Sequence, residues 1–249
     1  MSAFPAGEIG AGQIAAMIDH SLLRPELTLD DVTQGCEIAA SHAVASVCCK
    51  PADINHAVGV LAGSVVKVGA VVGFPHGSST TEAKVFETRR ALDDGAGEID
   101  MVLNIGRLRG GQHGEVEHDI RAVVEVAHLA GALVKVIFEN AYLDDGQIVI
   151  ACRLTEAAGA DFVKTSTGFA ASGATMHDLL LMRRSTGASV QVKAAGGVRT
   201  LDTLLSMVAI GVTRFGATAT AAILADAAER ASQGRLLVPS ASDIETAAK

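Results

Sequence analysis

Short apolar runs alternate with helical patterns along the whole chain, and most helical patterns stop at a glycine just before the next run. The runs predicted as strands cover residues 16–19, 43–49, 65–74, 98–104, 133–139, 162–165, 190–194 and 213–216. Between them, Ser79-Thr80-Thr81-Glu82 reads as a capping box, and the helix behind it closes at Gly95 with Arg89 and Arg90 in its later turns. Helical patterns over 116–130, 147–158 and 200–210 stop at Gly131, Gly159 and Gly211, and one opening at Thr175 stops at Gly187. A repeat of roughly 25 to 35 residues is the length of one βα unit. About eight such units in 249 residues predict an α/β fold of the TIM (β/α)8 barrel type. The structural rival, a doubly wound open sheet, lacks its Gly-x-Gly-x-x-Gly after the first strand. No Pro/Ser-rich linker or charge run divides the chain. Residues 1–249 are therefore expected to form a single barrel domain, with a short N-terminal lead-in and a flexible C-terminal tail.

Composition narrows the function classes. The hydrophobic share is 49% and the charged share 19%, which suits a well-buried globular chain. The formal net charge of −8, with no Lys/Arg block and no aromatics among the bases, argues against a nucleic-acid partner. No apolar stretch approaches the length of a membrane span, and residues 1–10 lack a basic head and an apolar signal run. Cys36, Cys48, Cys49 and Cys152 make no Cys-x-x-Cys pair, so a reduced cytoplasmic protein is expected, with Cys48 a buried structural residue at a strand end. The eight histidines are scattered, with no His-x-His or His-Glu-x-x-His cluster, so no metal site and no cofactor are expected.

In such a barrel the active site lies at the C-terminal ends of the strands. The polar residues there are Asp19, Asp100, Asn104, Lys135, Glu139, Lys164 and Lys193. Asp161-Phe162-Val163-Lys164-Thr165-Ser166-Thr167-Gly168-Phe169 is a short apolar run that delivers one amine into a tight polar loop. Lys193 lies on the next strand, about 4.8 Å away if the two strands are neighbours. Two ammonium groups about 5 Å apart at an effective dielectric of about 20 repel by roughly 3 kcal/mol, enough to bring one amine down towards neutrality. A neutral amine can attack a carbonyl and form a Schiff base. The alternative is that the lysines point apart or that carboxylates neutralise them.

The segments around Lys164 and Lys193 (Val192-Lys193-Ala194-Ala195-Gly196-Gly197-Val198-Arg199) resemble the signature segments of the deoxyribose-phosphate aldolase family, the DeoC group of class I aldolases. So do Glu98-Ile99-Asp100-Met101-Val102-Leu103-Asn104-Ile105-Gly106, Thr80-Thr81-Glu82-Ala83-Lys84-Val85-Phe86-Glu87 and Ile18-Asp19-His20. The likeness runs from about residue 14 to about residue 230. It implies reversible, metal-free cleavage of 2-deoxy-D-ribose 5-phosphate into D-glyceraldehyde 3-phosphate and acetaldehyde, in deoxynucleoside breakdown. On this resemblance Lys164 is the Schiff-base lysine, Lys193 lowers its pKa and moves protons, and Asp100 relays protons through water. Lys135 pairs with Asp100, and Asp19 is a second supporting group. Thr165, Gly168, Gly196, Gly197, Gly216, Ala217 and Thr218 are expected around the substrate and its phosphate. A homodimer is compatible with a barrel of this size.

The chain departs from the family pattern at Ala170-Ala171-Ser172 and at Ala217-Thr218-Ala219-Thr220, both where phosphate would bind. Asn140 stands for a usual threonine, and residues 244–249 contain no tyrosine. Two rivals follow: a Schiff-base aldolase for a related non-phosphorylated aldehyde, and a sugar-phosphate-binding barrel without turnover.

Overall fold

Eight parallel strands close on themselves: β1 (Ile18–Leu22), β2 (Ser46–Cys49), β3 (Lys67–Val72), β4 (Glu98–Val102), β5 (Leu133–Ile137), β6 (Phe162–Lys164), β7 (Gln191–Ala195) and β8 (Arg214–Ala217), with β8 pairing back onto β1. This is the α/β TIM barrel predicted from the repeat. The computed structural model describes residues 6–247; the first residues of the lead-in and the last two of the tail lie outside them. A main helix follows each strand: α1 (Leu29–Ser41), α2 (Ile54–Val60), α3 (Thr81–Asp93), α4 (His113–Leu129), α5 (Asp145–Ala157), α6 (Met176–Ser185), α7 (Leu201–Ala209) and α8 (Thr220–Ser232). A two-residue antiparallel pair, Gly7–Glu8 with Leu237–Val238, ties the lead-in to the segment after α8, and a last helix spans Ala241–Ala247. Among the described residues no helix is long and apolar enough to cross a membrane.

Local chemistry explains where the helices start and stop. Thr28, Thr80, Asp144, Thr175 and Thr200 each accept a backbone N–H three residues on, satisfying one of the orphan donors of a first turn. Gly95, Gly131, Gly159 and Gly211 take positive φ (101°, 74°, 84° and 92°) just past the helices they follow. Two expectations need correction here. The cap of α3 is Thr80 rather than Ser79, one residue later than the capping-box pattern suggests. Gly187 is not a left-handed stop for α6: the chain leaves the helix in extended form at Thr186, and Arg183 donates to the carbonyls of Thr186, Gly187 and Val190.

Strand boundaries also differ: the second strand begins at Ser46 instead of residue 43 and the fourth ends at Val102 instead of residue 104, and three others have local causes. β1 begins at Ile18, because residues 11–15 are helical and Ser21 and Leu22 pair with Cys48 and Cys49. β3 stops at Val72, where Gly73 takes a φ of +62° and Pro75 has no N–H to give. β5 stops at Ile137, and Glu139 turns to a φ of +57°.

Period-2 alternation divides each strand between two environments. Val47, Cys49, Ile99, Met101, Val134, Val136, Val163, Val192 and Phe215 are buried in the apolar core with residues from the helices. The alternate positions put Asp19, Ser46, Glu98, Asp100, Lys135, Lys164, Lys193 and Arg214 inside the barrel, bonded to one another. Barrel interiors are ordinarily filled by branched aliphatic layers. The middle of this one is filled by charge, with Val71, Val102, Ile137 and Phe162 on the same inward faces.

Candidate active site

Lys164 and Lys193 are direct register partners on β6 and β7, so strand pairing alone brings their side chains together. Both reach the same atom: Asp100 Oδ2 accepts from Lys164 Nζ at 2.6 Å and from Lys193 Nζ at 2.7 Å. Lys135 donates to Asp100 Oδ1 at 2.7 Å, the pairing expected, and also to Glu98 Oε2 at 2.6 Å. Asp19 accepts Lys193 on Oδ2 at 2.5 Å, and Ser46 and Arg214 on Oδ1, each at 2.6 Å. Asp19, Asp100, Lys135, Lys164 and Lys193, the five given catalytic or supporting roles from sequence, therefore meet in one buried cluster.

Burial opposes ionisation of Asp100, but the attraction of Lys135, Lys164 and Lys193 outweighs it and holds the carboxyl well below the usual range. Asp19 is depressed in the same way, against burial, chiefly by Lys193 and Lys135. Burial likewise works against Lys193 and Lys135 as cations, and the carboxylates around them raise both. Lys164 differs: burial lowers its pKa, Asp100 only partly offsets that, and Lys193 adds repulsion. The crowding argued from sequence thus contributes, but desolvation is the larger cause.

A cavity of about 560 Å³ opens above this cluster and is lined by Lys164, Lys193, Asp19 and Cys48 among others. Asp100 lies beneath the two amines and is fully buried. Cys48 is buried, its thiol pushed up to about 11 by burial and then by Asp100, so it sits in the wall as a neutral thiol. Gly168, Gly196, Gly197, Gly216, Ala217 and Thr218 all line the cavity. Gly196 has a φ of +83°, and a Cβ there would meet Gly173 Cα at 2.8 Å, so the 196–197 turn and the loop before α6 approach backbone to backbone. The α8 N-terminus beside Thr218 has no side-chain cap. Its first amides are thus left for water or an anion.

Thr165 is a correction. Its hydroxyl bonds both the carbonyl and the N–H of Ala195, at 3.1 Å each, tying β6 to β7 instead of lining the cavity. Thr167 does line it, held by Glu139, which accepts both its hydroxyl and its N–H. Asn104 caps a short helix over Ile105–Arg109. His20 bonds Thr220 Oγ1 at 2.8 Å, a hydrogen-bonding role, and His76 is exposed.

Sequence reasoning missed Glu98 and Arg214. Both were legible by alternation, since Glu98 shares a face with Asp100, and Arg214 shares one with Gly216 while Phe215 points to the core. Among the described residues, no group of His, Cys, Asp and Glu is placed to hold a metal ion.

The sequence pattern of the DeoC/LacD family aldolases matches residues 13–229. Deoxyribose-phosphate aldolase 1 of Bacillus licheniformis is 49% identical over 212 residues, covering 85% of this chain and 95% of that protein. Deoxyribose-phosphate aldolase 2 of Staphylococcus aureus is 51% identical over 205 residues, covering 82% of this chain and 92% of its own length. Among solved structures, the tetrameric deoxyribose phosphate aldolase of Aeropyrum pernix superposes with a TM-score of 0.81 at 28% identity, over 87% of this chain and 92% of that one.

Proposed function

The chain belongs to the DeoC/LacD family of aldolases, and on that premise we propose that it reversibly cleaves 2-deoxy-D-ribose 5-phosphate into D-glyceraldehyde 3-phosphate and acetaldehyde. The observation that carries this is the Lys164 amine, buried at the floor of the cavity and lowered in pKa, with Lys193 beside it.

Lys164 Nζ attacks the aldehyde carbon of the open-chain sugar, and loss of water from the carbinolamine gives a protonated imine. The imine draws the electron pair of the C2–C3 bond towards itself as the C3 hydroxyl loses its proton. Glyceraldehyde 3-phosphate leaves, and an enamine remains on Lys164. A proton delivered to C2 then regenerates an imine, which water hydrolyses to acetaldehyde and free lysine. Lys193 is the acid and base at the cavity surface. Asp100, kept ionised by Lys135, accepts from both amines, orients them from below and relays protons through water.

The phosphate end of the substrate lies on the backbone at Gly196, Gly197, Gly216, Ala217 and Thr218 and at the N-terminus of α8. Ala219, which offers no side-chain cap, leaves the helix amides to the ligand. Gly196→Ala forces a Cβ onto Gly173 and displaces this turn. It is expected to raise KM for deoxyribose 5-phosphate about 10- to 100-fold, the worth of one or two charge-assisted hydrogen bonds. Imine formation with acetaldehyde, which carries no phosphate, is expected to stay near wild type in the same variant. Steady-state kinetics beside borohydride trapping checks both halves.

Borohydride reduction in the presence of acetaldehyde, followed by peptide mass mapping, tests the reaction itself. A reduced ethyl adduct on Lys164 is expected; a folded protein with no adduct there excludes the imine mechanism. Rates on deoxyribose and on its 5-phosphate then separate the phosphorylated substrate from a neutral one. The four buried free cysteines suit the cytoplasmic setting expected from sequence. Light scattering tests the homodimer.

A further inference from the structure

The charged groups inside the barrel form a closed ring, and its lower member, Arg214, has no part in the steps above. Arg214 Nη1 donates to Asp19 Oδ1 at 2.6 Å, and Lys193 bridges Asp19 to Asp100 Oδ2. Lys135 then bridges Asp100 Oδ1 to Glu98 Oε2, and Glu98 returns to Arg214 Nη1 at 3.2 Å. Signs alternate all the way round, so the ring is neutral. Lys164 stands outside it, and among the described residues its Nζ is held by Asp100 Oδ2 alone.

The cluster thus sets four cationic groups (Arg214, Lys135, Lys193, Lys164) against three carboxylates (Asp19, Glu98, Asp100) in a space where every lysine is at most 3% exposed. A net charge left in the interior costs several kcal/mol, and loss of one proton relieves it. Arginine does not give up its proton. Among the described residues Lys135 pairs with three carboxylates (Glu98, Asp100 and, at 3.6 Å, Asp19), Lys193 with two, and Lys164 with one. The surplus is discharged at Lys164.

We propose that Arg214 is a positioning residue that closes this ring from below and, as the fourth buried positive charge, keeps the Lys164 amine free of its proton at neutral pH. The proposal rests on Lys164 being the Schiff-base lysine. The guanidinium is fixed over the Phe162 ring, 5.6 Å from its centroid, with its side chain 13% exposed to a cavity of about 440 Å³ at the lower end of the barrel. The remaining strands add no compensating charge. β2 brings Ser46, which bonds Asp19, and the neutral thiol of Cys48. The one charged residue of β3, Lys67, is exposed at its start. Asp161, at the lower cavity, is engaged by His128 and the Val134 amide, and Glu139 by Thr167. The directions of the lysine pKa shifts agree, with Lys164 lowered and Lys135 and Lys193 raised.

The test is the pH dependence of the initial rate of borohydride trapping on Lys164 with acetaldehyde, in the full chain. Arg214→Gln balances the cluster with Lys164 protonated. Its acid limb is expected to move to higher pH, with trapping at pH 7 down about tenfold. Arg214→Lys restores the charge and the wild-type profile. Glu98→Gln removes a negative charge and is expected to move the limb to lower pH, and the double Arg214→Gln/Glu98→Gln variant to return it. Opposite shifts are a signature that structural damage does not produce. Limbs that stay put, or that move the same way in both single variants, overturn the proposal. If Arg214→Gln does not fold, a limb that Glu98→Gln leaves unmoved or raises overturns it equally. Absence of a wild-type adduct on Lys164 overturns the reaction itself, and the proposal with it.

Discussion

Lys164→Met is expected to abolish the aldol reaction in both directions, with kcat lower by at least ~10⁴-fold and no borohydride adduct at any pH. An imine needs a primary amine at that point, and no neighbour supplies one with the same freedom. Lys193 is held between Asp19 and Asp100, and Lys135 between Asp100 and Glu98. A nucleophile that acts as the unit of a mechanism costs nearly all of the rate when removed. The fold is expected to survive. Asp100 keeps two lysine partners, and Lys164 is a buried amine whose pKa is lowered, so its replacement by an apolar chain of similar length is neutral or stabilising. A thermal melt at or above wild type, together with absent turnover, is the expected pair of results. Turnover within tenfold of wild type would exclude Lys164 as the nucleophile.

Asp100→Asn acts on both activity and stability. The neutral amide cannot balance Lys135, Lys164 and Lys193, which all reach this one side chain. Removing one partner from a buried ionic cluster costs about 3–5 kcal/mol. A loss of that size in urea denaturation at pH 7 is expected, with kcat reduced at least ~100-fold, since the carboxylate that orients both amines and relays their protons is gone. The sign of the pH dependence follows from linkage. Asp100 has a folded pKa below its unfolded value of about 3.9, so its contribution is complete above that pH and is lost as pH falls through the folded value. The stability gap between wild type and Asp100→Asn is therefore expected to narrow from pH 4 downwards. An equal gap at pH 3 and pH 7 would mean that the carboxylate charge is not its source.

Much of this molecule could be read before folding it. The repeat of apolar run, helix and glycine predicted the barrel, because each unit must bury one stripe of helix against one strand, about eight units fit the chain, and the glycine motif of the rival open sheet is missing after the first strand. Asp19, Asp100, Lys135, Lys164 and Lys193 could be picked out as charges on apolar strands, where an unpaired charge is too costly to be accidental. Pairing of Lys164 with Lys193 needed only the assumption that consecutive strands are neighbours.

What the sequence left open were the quantities that depend on several strands at once. The register of β1 carried Asp19 towards the lower half of the barrel, where it meets Arg214 as well as Lys193. Thr165 and Thr167 read alike in a run of hydroxyls, and only the turn at Glu139 and the β6–β7 register sent the first between strands and the second to the cavity. The charge balance was hidden for the same reason. It is a sum over side chains from six strands, and no local pattern states whether that sum closes. The linear chain determined the elements and the ionisable residues, because periodicity and burial cost are local properties. Closure of the barrel decided which charges neutralise one another and which lysine is left without a second carboxylate, because Coulomb energy depends on distances through space that no spacing along the chain contains.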